Sequence, residues 1–319
     1  MRILIAPLNW GLGHASRCVP LIRRLLADGH QVVLGGDGES LTLLRKHFPA
    51  LAVLPLASLE LRYGSGNRQV LAMLRALPRI IRSARRDHAL LNNYLRYEQI
   101  DEVISDNRFG LWSAKTHCVY MTHQLLVALP RPWQWLEPVV ARWHRRVIAH
   151  YDECWIPDES VCANGGQGLA GRLSHPGQLP ANAKYIGVLS RFAGRAFTAD
   201  KTYRVVAVLS GLEPQRTLLE QDILQACENS DDTVLIVRGK IHEPPTIVKH
   251  GKVTIAPWLD DDHLASYLLG AERIICRSGY SSVMDLYALG VMQKVEWRPT
   301  PGQTEQEYLA HWLQSMRQK

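Results

Sequence analysis

The sequence predicts an α/β protein built as two doubly wound, Rossmann-like domains in tandem. Three observations carry that prediction. Short apolar runs alternate with longer helical patterns along the whole chain, the signature of parallel strands joined by crossover helices. The rhythm breaks once, between residues 157 and 200, where Gly, Pro, Asn and Ser dominate (Asn164-Gly165-Gly166-Gln167-Gly168, His175-Pro176-Gly177). A length of 319 residues suffices for two domains of ordinary size. The division is placed at 190, giving an N-terminal domain over 1–190 and a C-terminal domain over 191–319. Two such sheets are expected to face a central cleft at the carboxyl ends of their strands, where open α/β sheets bind ligands.

Taken in order, strands are expected at 2–6, 31–35, 52–55, 102–105, 117–121 and 153–156, with a last one around Lys184-Tyr185-Ile186. Helices are expected at 15–28, 67–97 and 132–150. The second domain should hold strands at 203–209, 233–237, 253–256, 273–276 and 293–297, and helices at 214–228, 261–269, 280–290 and 304–316. Ile3-Leu4-Ile5 is too short for the apolar core of a signal peptide and is closed by Pro7 and Gly11, so it reads as the first strand. No apolar run approaches the roughly 18 residues of a spanning helix.

With 46% apolar and 21% charged residues, the chain reads as soluble and globular, which excludes disordered and membrane-spanning classes. Cys18, Cys118, Cys154, Cys162, Cys227 and Cys276 lie far apart with no CxxC, as in a reduced cytoplasmic protein. The charge is uneven. Residues 1–165 hold 20 Lys/Arg against 14 Asp/Glu, whereas the rest hold 17 against 16. Arg62, Arg68, Arg75, Arg79, Arg82, Arg85, Arg86 and Arg96 have only Asp87 as an acid in their stretch. Trp133, Trp135 and Trp143 lie close in sequence to Arg131, Arg142, Arg145 and Arg146. Such a surface suits peripheral contact with an anionic membrane, at the inner face of the plasma membrane, or it is a solvated helix face. Nucleic acid is set aside, since the arginines lie on one helix and no recognised nucleic-acid module accompanies them.

The first loop, Pro7-Leu8-Asn9-Trp10-Gly11-Leu12-Gly13-His14, joins strand to helix. Gly11 and Gly13 allow close approach of a ligand, and His14 at the helix start is a candidate base for a hydroxyl nucleophile. The third glycine of a dinucleotide fingerprint and the Gly-Lys-Ser/Thr of a P-loop are both missing. Asp106 and Asn107 end one strand and His123 and Gln124 follow another. His123 is a second candidate base, and Asp106, Asn107 and Gln124 are candidate acceptor contacts. In the second half, Ser210, Gly211 and Arg216 repeat the strand–glycine–helix pattern and could line a phosphate pocket; the plain alternative is a turn with Pro214 at the helix start.

The most informative stretch is Cys276-Arg277-Ser278-Gly279-Tyr280-Ser281-Ser282-Val283-Met284-Asp285, followed by Gln303 and Gln306 at the next helix start. A strand end, a glycine turn and a hydroxyl-rich helix start suit a diphosphate, and a nearby carboxylate suits ribose hydroxyls. Ser282 to Asp285 and Thr304 to Glu307 also fit capping boxes. Asp260-Asp261-Asp262 could hold a metal under a diphosphate but opens a helix, so it reads as a cap; no metal site is expected.

Through Arg277-Ser278-Gly279 to Asp285 and the Gly11-Leu12-Gly13-His14 loop, the chain resembles GT-B glycosyltransferases, closest to the MurG-like type that adds N-acetylglucosamine in peptidoglycan lipid synthesis. The resemblance implies a UDP-sugar co-substrate, no other cofactor, no required metal, and inversion at the anomeric carbon. Carried over by position, Asp285 would hold the ribose, Ser278, Gly279, Tyr280, Ser281 and Ser282 would face the diphosphate, and Gln303 and Gln306 would touch the donor sugar. The backbone near Leu259 would read the uracil, and His14 would sit between donor and acceptor. Asp285 stands where the peptidoglycan enzymes usually have Glu, which argues for a relative with another acceptor, lipid-linked or glycan. Two alternatives stay open: a nucleotide-sugar hydrolase of the same fold, and a non-catalytic nucleotide-sugar-binding protein. The acceptor would be set by loops at 57–66, 106–110 and 122–135.

Overall fold

The computed structural model describes residues 1–58, 68–160, 168–211, 213–228 and 230–317 (backbone alone at 68–76 and 317). Arg62, Cys162, the Asn164–Gln167 stretch and most of the 57–66 loop lie outside the described residues. The chain divides into two compact units: Met1–Trp10 with His14–Leu189, and Gly11–Gly13 with Ser190–Lys319.

The first unit is a seven-stranded parallel sheet. Its strands are β1 (Arg2–Pro7), β2 (Gln31–Gly36), β3 (Ala52–Pro55), β4 (Glu102–Asp106), β5 (His117–Met121), β6 (Glu153–Ile156) and β7 (Ala183–Tyr185), in the order β3-β2-β1-β4-β5-β6-β7. Ile3, Leu4, Ile5 and Ala6 are all buried, so both faces of β1 are covered, as a parallel sheet flanked by helices requires. The helices are α1 (Leu12–Ala27), α2 (Gly38–His47), α3 (Arg68–Tyr94) and α4 (Glu137–Ile148). The chain winds outward through β2 and β3, returns through α3 to β4, and then winds the other way. The direction therefore reverses between β1 and β4, whose register sets Pro7 beside Asp106.

The second unit is a six-stranded sheet of β8 (Val205–Val208), β9 (Val234–Val237), β10 (Val248–His250), β11 (Val253–Ala256), β12 (Arg273–Cys276) and β13 (Val295–Trp297), ordered β10-β11-β9-β8-β12-β13. All neighbours are parallel except β10 against β11. Helix α5 (Gln215–Cys227) follows β8, α6 (Asp261–Gly270) follows β11, α7 (Tyr280–Ala288) follows β12, and α8 (Thr304–Arg317) follows β13. Here the winding reverses between β8 and β12, with Val208 opposite Cys276.

Three details differ from the sequence prediction. Helix α2 was not foreseen; it buries only Ser40, Leu43 and Leu44, too narrow a stripe to announce itself. Strand β10 is exposed throughout and is held by the tight turn at Gly251, φ +59, so it lacks an apolar signal. The helix expected at 132–150 splits into a 3₁₀ turn, Arg131–Leu136, and α4, because Pro138 favours a fresh helix start. Among the described residues no helix is long and apolar enough to cross a membrane.

Candidate active site

Ligands of open α/β sheets gather where the strand order reverses, and both reversal points are chemically equipped. In the first unit, Gly11 takes φ +84, a conformation that glycine adopts freely, and lets the chain leave β1 and enter α1 within a few residues. His14 and Arg17 lie three apart on α1 and so share a face. Both meet Asp106, the last residue of β4. His14 Nδ1 is 3.0 Å from Asp106 Oδ1. Arg17 Nε donates to Asp106 Oδ2 at 2.8 Å, and Arg17 Nη2 donates to Oδ1.

Arg17 Nη2 is also 3.0 Å from His14 Nδ1. Arg17 can only donate and ionised Asp106 can only accept. Nδ1 cannot donate to Asp106 and accept from Arg17 at once; with the proton on Nδ1, toward Asp106, Arg17 Nη2 gives its hydrogen to Oδ1 and not to the ring, and the lone pair of His14 lies on Nε2. Asp106 is fully enclosed. Burial alone would raise its pKa, but Arg17 and then His14 outweigh it and hold the carboxyl well below the usual carboxylate range. Cys18 lies 3.8 Å from Asp106 and stays a thiol, pushed up by burial and by that carboxylate.

His123 is 4% exposed, and its Nδ1 lies 3.0 Å from Arg17 Nη1. That nitrogen must accept, so a neutral ring carries its proton on Nε2. Two expected acceptor contacts are engaged inside the unit. Asp106 is enclosed, with both oxygens on Arg17 and His14, and presents no exposed surface to a ligand. Asn107, at φ +60, accepts from the Tyr120 hydroxyl at 3.1 Å. The Gln124 amide end lies 3.4 Å from His123 Nε2. Gly11 and Gly13 fall with the second unit, where the Gly13 carbonyl accepts from Ser281 Oγ at 2.7 Å.

In the second unit, helices α5 and α7 both start at the β8/β12 reversal. Neither has an acid in its first turn, and neither N-cap, Pro214 or Gly279, supplies a side-chain hydrogen bond. Glu213, just ahead of α5, accepts from Thr217 N at 3.2 Å and so places a carboxylate at that N-terminus, whereas the first turn of α7 holds no acid. Arg277 is 4% exposed and bridges these helix starts to β13. Its Nη1 donates to the carbonyls of Arg298 (2.9 Å) and Pro299 (3.0 Å), and its Nη2 to that of Gln215 (2.7 Å). Its Nε is buried with no hydrogen-bond partner, and among the described residues no carboxylate pairs with it. Burial lowers its pKa, Asp222 opposing, yet a guanidinium stays charged.

The remaining candidates are distributed as follows. Ser210 is half-buried and Gly211, at φ +95, is exposed. Arg216 pairs with Glu213 at 3.0 Å. Leu259 is half-buried ahead of α6. Ser278 donates to the Gln306 carbonyl at 2.7 Å, and Gln306 Oε1 accepts from Thr300 N at 2.8 Å, so Gln306 shapes the 299–303 turn. Gln303 N donates to Thr300 O within that turn. Tyr280 is buried, and Ser282 is half-buried in the first turn of α7. Asp285 is no capping residue, because α7 starts at Tyr280. It accepts from Ser190 Oγ at 2.6 Å and from Arg191 Nε at 3.2 Å. Burial raises its pKa, with Arg191 and Ser190 opposing.

Arg191 continues to Asp261 at 3.3 Å, and Arg195 reaches Asp261 and Asp262. Asp260 caps α6 through His263 N at 3.0 Å. The acidic run is therefore a cap and an ion-pair network, and among the described residues no three His, Cys, Asp or Glu gather as a metal site. Arg17, Arg191 and Arg195 were not anticipated. The His14–Arg17 spacing on one helix was the available signal for the first. The other two lie in the irregular stretch, where no periodicity marks a contact.

No protein-family model matches the chain. It is 26% identical over 329 residues to an uncharacterized glycosyltransferase of Methanosarcina acetivorans, covering 96% of this chain and 80% of that protein. Among solved structures, the spinosyn rhamnosyltransferase SpnG complexed with thymidine diphosphate aligns with a TM-score of 0.61 at 17% identity, over 99% of this chain and 84% of that one. The calicheamicin glycosyltransferase CalG4 aligns with a TM-score of 0.60 at 12% identity, over 98% and 83%. These likenesses define the fold: two α/β domains with parallel, Rossmann-like sheets, shared with glycosyltransferase structures.

Proposed function

We propose that the chain is a glycosyltransferase that moves a hexosyl or N-acetylhexosaminyl group from a UDP-sugar to an acceptor hydroxyl, with inversion and without a metal. The observation that carries this reading is the Asp106–His14 pair at the β1/β4 reversal. A carboxylate fixes the tautomer and leaves Nε2 as the basic nitrogen, the arrangement a hydroxyl nucleophile needs. The names of the sequence relative and of the solved structures agree with that chemistry.

In this reading His14 Nε2 takes the acceptor proton while the acceptor oxygen attacks the anomeric carbon. The bond from that carbon to the diphosphate oxygen breaks, and its electron pair leaves with UDP. In-line displacement inverts the centre. The N-terminus of α7, with the Arg277 charge behind it, answers the negative charge of the departing diphosphate. That field stands in for a metal. Asp285, already bonded to Ser190 and Arg191, fixes the 190–195 segment to α7 and is not assigned to the ribose. Peptidoglycan-type specificity is not carried over, because SpnG and CalG4 are named for spinosyn and calicheamicin. The thymidine diphosphate in SpnG favours a second donor reading, a dTDP-sugar.

The test incubates the chain with UDP-glucose, UDP-N-acetylglucosamine and a dTDP-hexose, each with and without a panel of hydroxyl acceptors. Acceptor-dependent mass gain is expected. His14→Ala should lower that rate by about 10²–10⁴-fold with nucleotide affinity unchanged. Full turnover in the variant removes His14 from the mechanism. Free sugar released equally without acceptor makes the protein a hydrolase, and UDP binding without turnover makes it a binding protein.

A further inference from the structure

A single guanidinium sets both histidines of the first unit's reversal point. Arg17 projects from α1 and is 2% exposed. Its Nε and Nη2 donate to the two oxygens of Asp106, at the end of β4. Its Nη1 lies 3.0 Å from Nδ1 of His123, which follows β5. Strands β4 and β5 are neighbours in the sheet, so one side chain ties the start of α1 to the carboxyl ends of two adjacent strands. Asp106 is fully enclosed, and His14 Nδ1 is 3.0 Å from its Oδ1.

The charge state of Asp106 decides which nitrogen of His14 is basic. As a carboxylate it accepts from Nδ1, and the lone pair of the ring stays on Nε2. As a carboxylic acid it donates to Nδ1, the ring proton moves to Nε2, and the base is lost. Burial drives Asp106 toward the acid, and Arg17 leads the charges that oppose it, ahead of His14. Removing the guanidinium therefore removes the main support of the carboxylate form. Arg17 acts on His123 directly. A guanidinium only donates, so His123 Nδ1 accepts and a neutral ring carries its proton on Nε2. The two rings thus hold opposite tautomers, both set by one buried residue.

We propose that Arg17 is the positioning residue of this site: it holds the lone pair of His14, and the proton of His123, on Nε2 of each ring. The role rests on the reading of His14 as the base, but its first test needs no substrate. Long-range proton–nitrogen NMR of the full chain, labelled in its histidines, should show His14 protonated on Nδ1 and His123 on Nε2. Each signal is assigned by its loss in His14→Gln or His123→Gln. In Arg17→Gln, measured below its own melting temperature, the His14 proton should move to Nε2. Acceptor-dependent kcat should then fall about 10²–10⁴-fold, the range of a lost general base, with acceptor KM and the UDP-dependent rise in melting temperature unchanged. A residue serving stability alone would lower the melting temperature and leave the tautomers and kcat of the folded chain as they are. His14 protonated on Nε2 in the wild type overturns the assignment, whether or not R17Q folds. So does folded R17Q with wild-type tautomers or wild-type kcat. The expected tautomers in a chain that transfers no sugar uphold the role of Arg17 and remove the glycosyltransferase reading instead.

Discussion

Arg17 is the residue on which the first reversal point turns. It is 2% exposed and reaches Asp106, His14 and His123 together. A buried charge that loses its partner costs about 3–5 kcal/mol. Arg17→Met is therefore expected to lower the urea-unfolding free energy by about that amount, and Arg17→Lys should not restore it, because an ammonium cannot present a planar fork to three groups. The pH dependence has a definite sign. The folded-state pKa of Asp106 lies below its unfolded value of about 3.9. Its ionised form therefore stabilises the fold above that unfolded value, and the contribution fades as pH falls through about 4 and below. Wild type and Asp106→Asn should differ most in urea midpoint near neutrality and converge in acid. A gap that stays constant down to pH 3 would mean Asp106 is not ionised in the folded chain.

At the scale of elements, α7 makes the argument for an anion site. The N-terminus of α7 has no acidic first turn and no side-chain cap, and a buried arginine without a carboxylate lies behind it, whereas Glu213 already occupies the start of α5. A nucleoside diphosphate bound there at about 100 times its Kd should stabilise the chain by about 2.7 kcal/mol, a rise of several degrees in Tm. Arg277→Gln should abolish most of that rise. An equal UDP-dependent rise in the variant would place the nucleotide elsewhere. Much of this region was legible in advance: Arg277 through Ser282 read as a strand end feeding a glycine turn and a helix start, and the chain folds that way. What the sequence concealed is which polar groups the protein keeps for itself. Asp285 lies in an apolar helix pattern, so its capture by Ser190 and Arg191, about 95 residues away, leaves no local trace. Gln306 folds back on Thr300, a partner within the same turn that outcompetes the exposed role its position suggested.

For the molecule as a whole, strand–helix alternation made the parallel sheets readable, because buried parallel strands are continuous apolar runs. The strand order is a different matter: nothing in β1 or β4 alone says they are neighbours, and His14 and Asp106 are 92 residues apart. Only the reversal of winding brings them together, and the second unit repeats that device at β8 and β12 without repeating the sequence. The two reversal points divide the proposed reaction into a proton-transfer task and an anion-binding task. That division makes a quantitative prediction. In saturating acceptor, His14→Ala should lower the rate and leave UDP-dependent stabilisation intact, whereas Arg277→Gln should remove most of that stabilisation and lower the rate most at low donor concentration. Residues with no shared partner contribute additively in free energy, within about 0.3–0.5 kcal/mol, so the double variant should lose the product of the two factors in kcat/KM. A double loss no greater than the larger single loss would show that both residues serve one task, and the assignment of base and anion site to separate reversal points would fail.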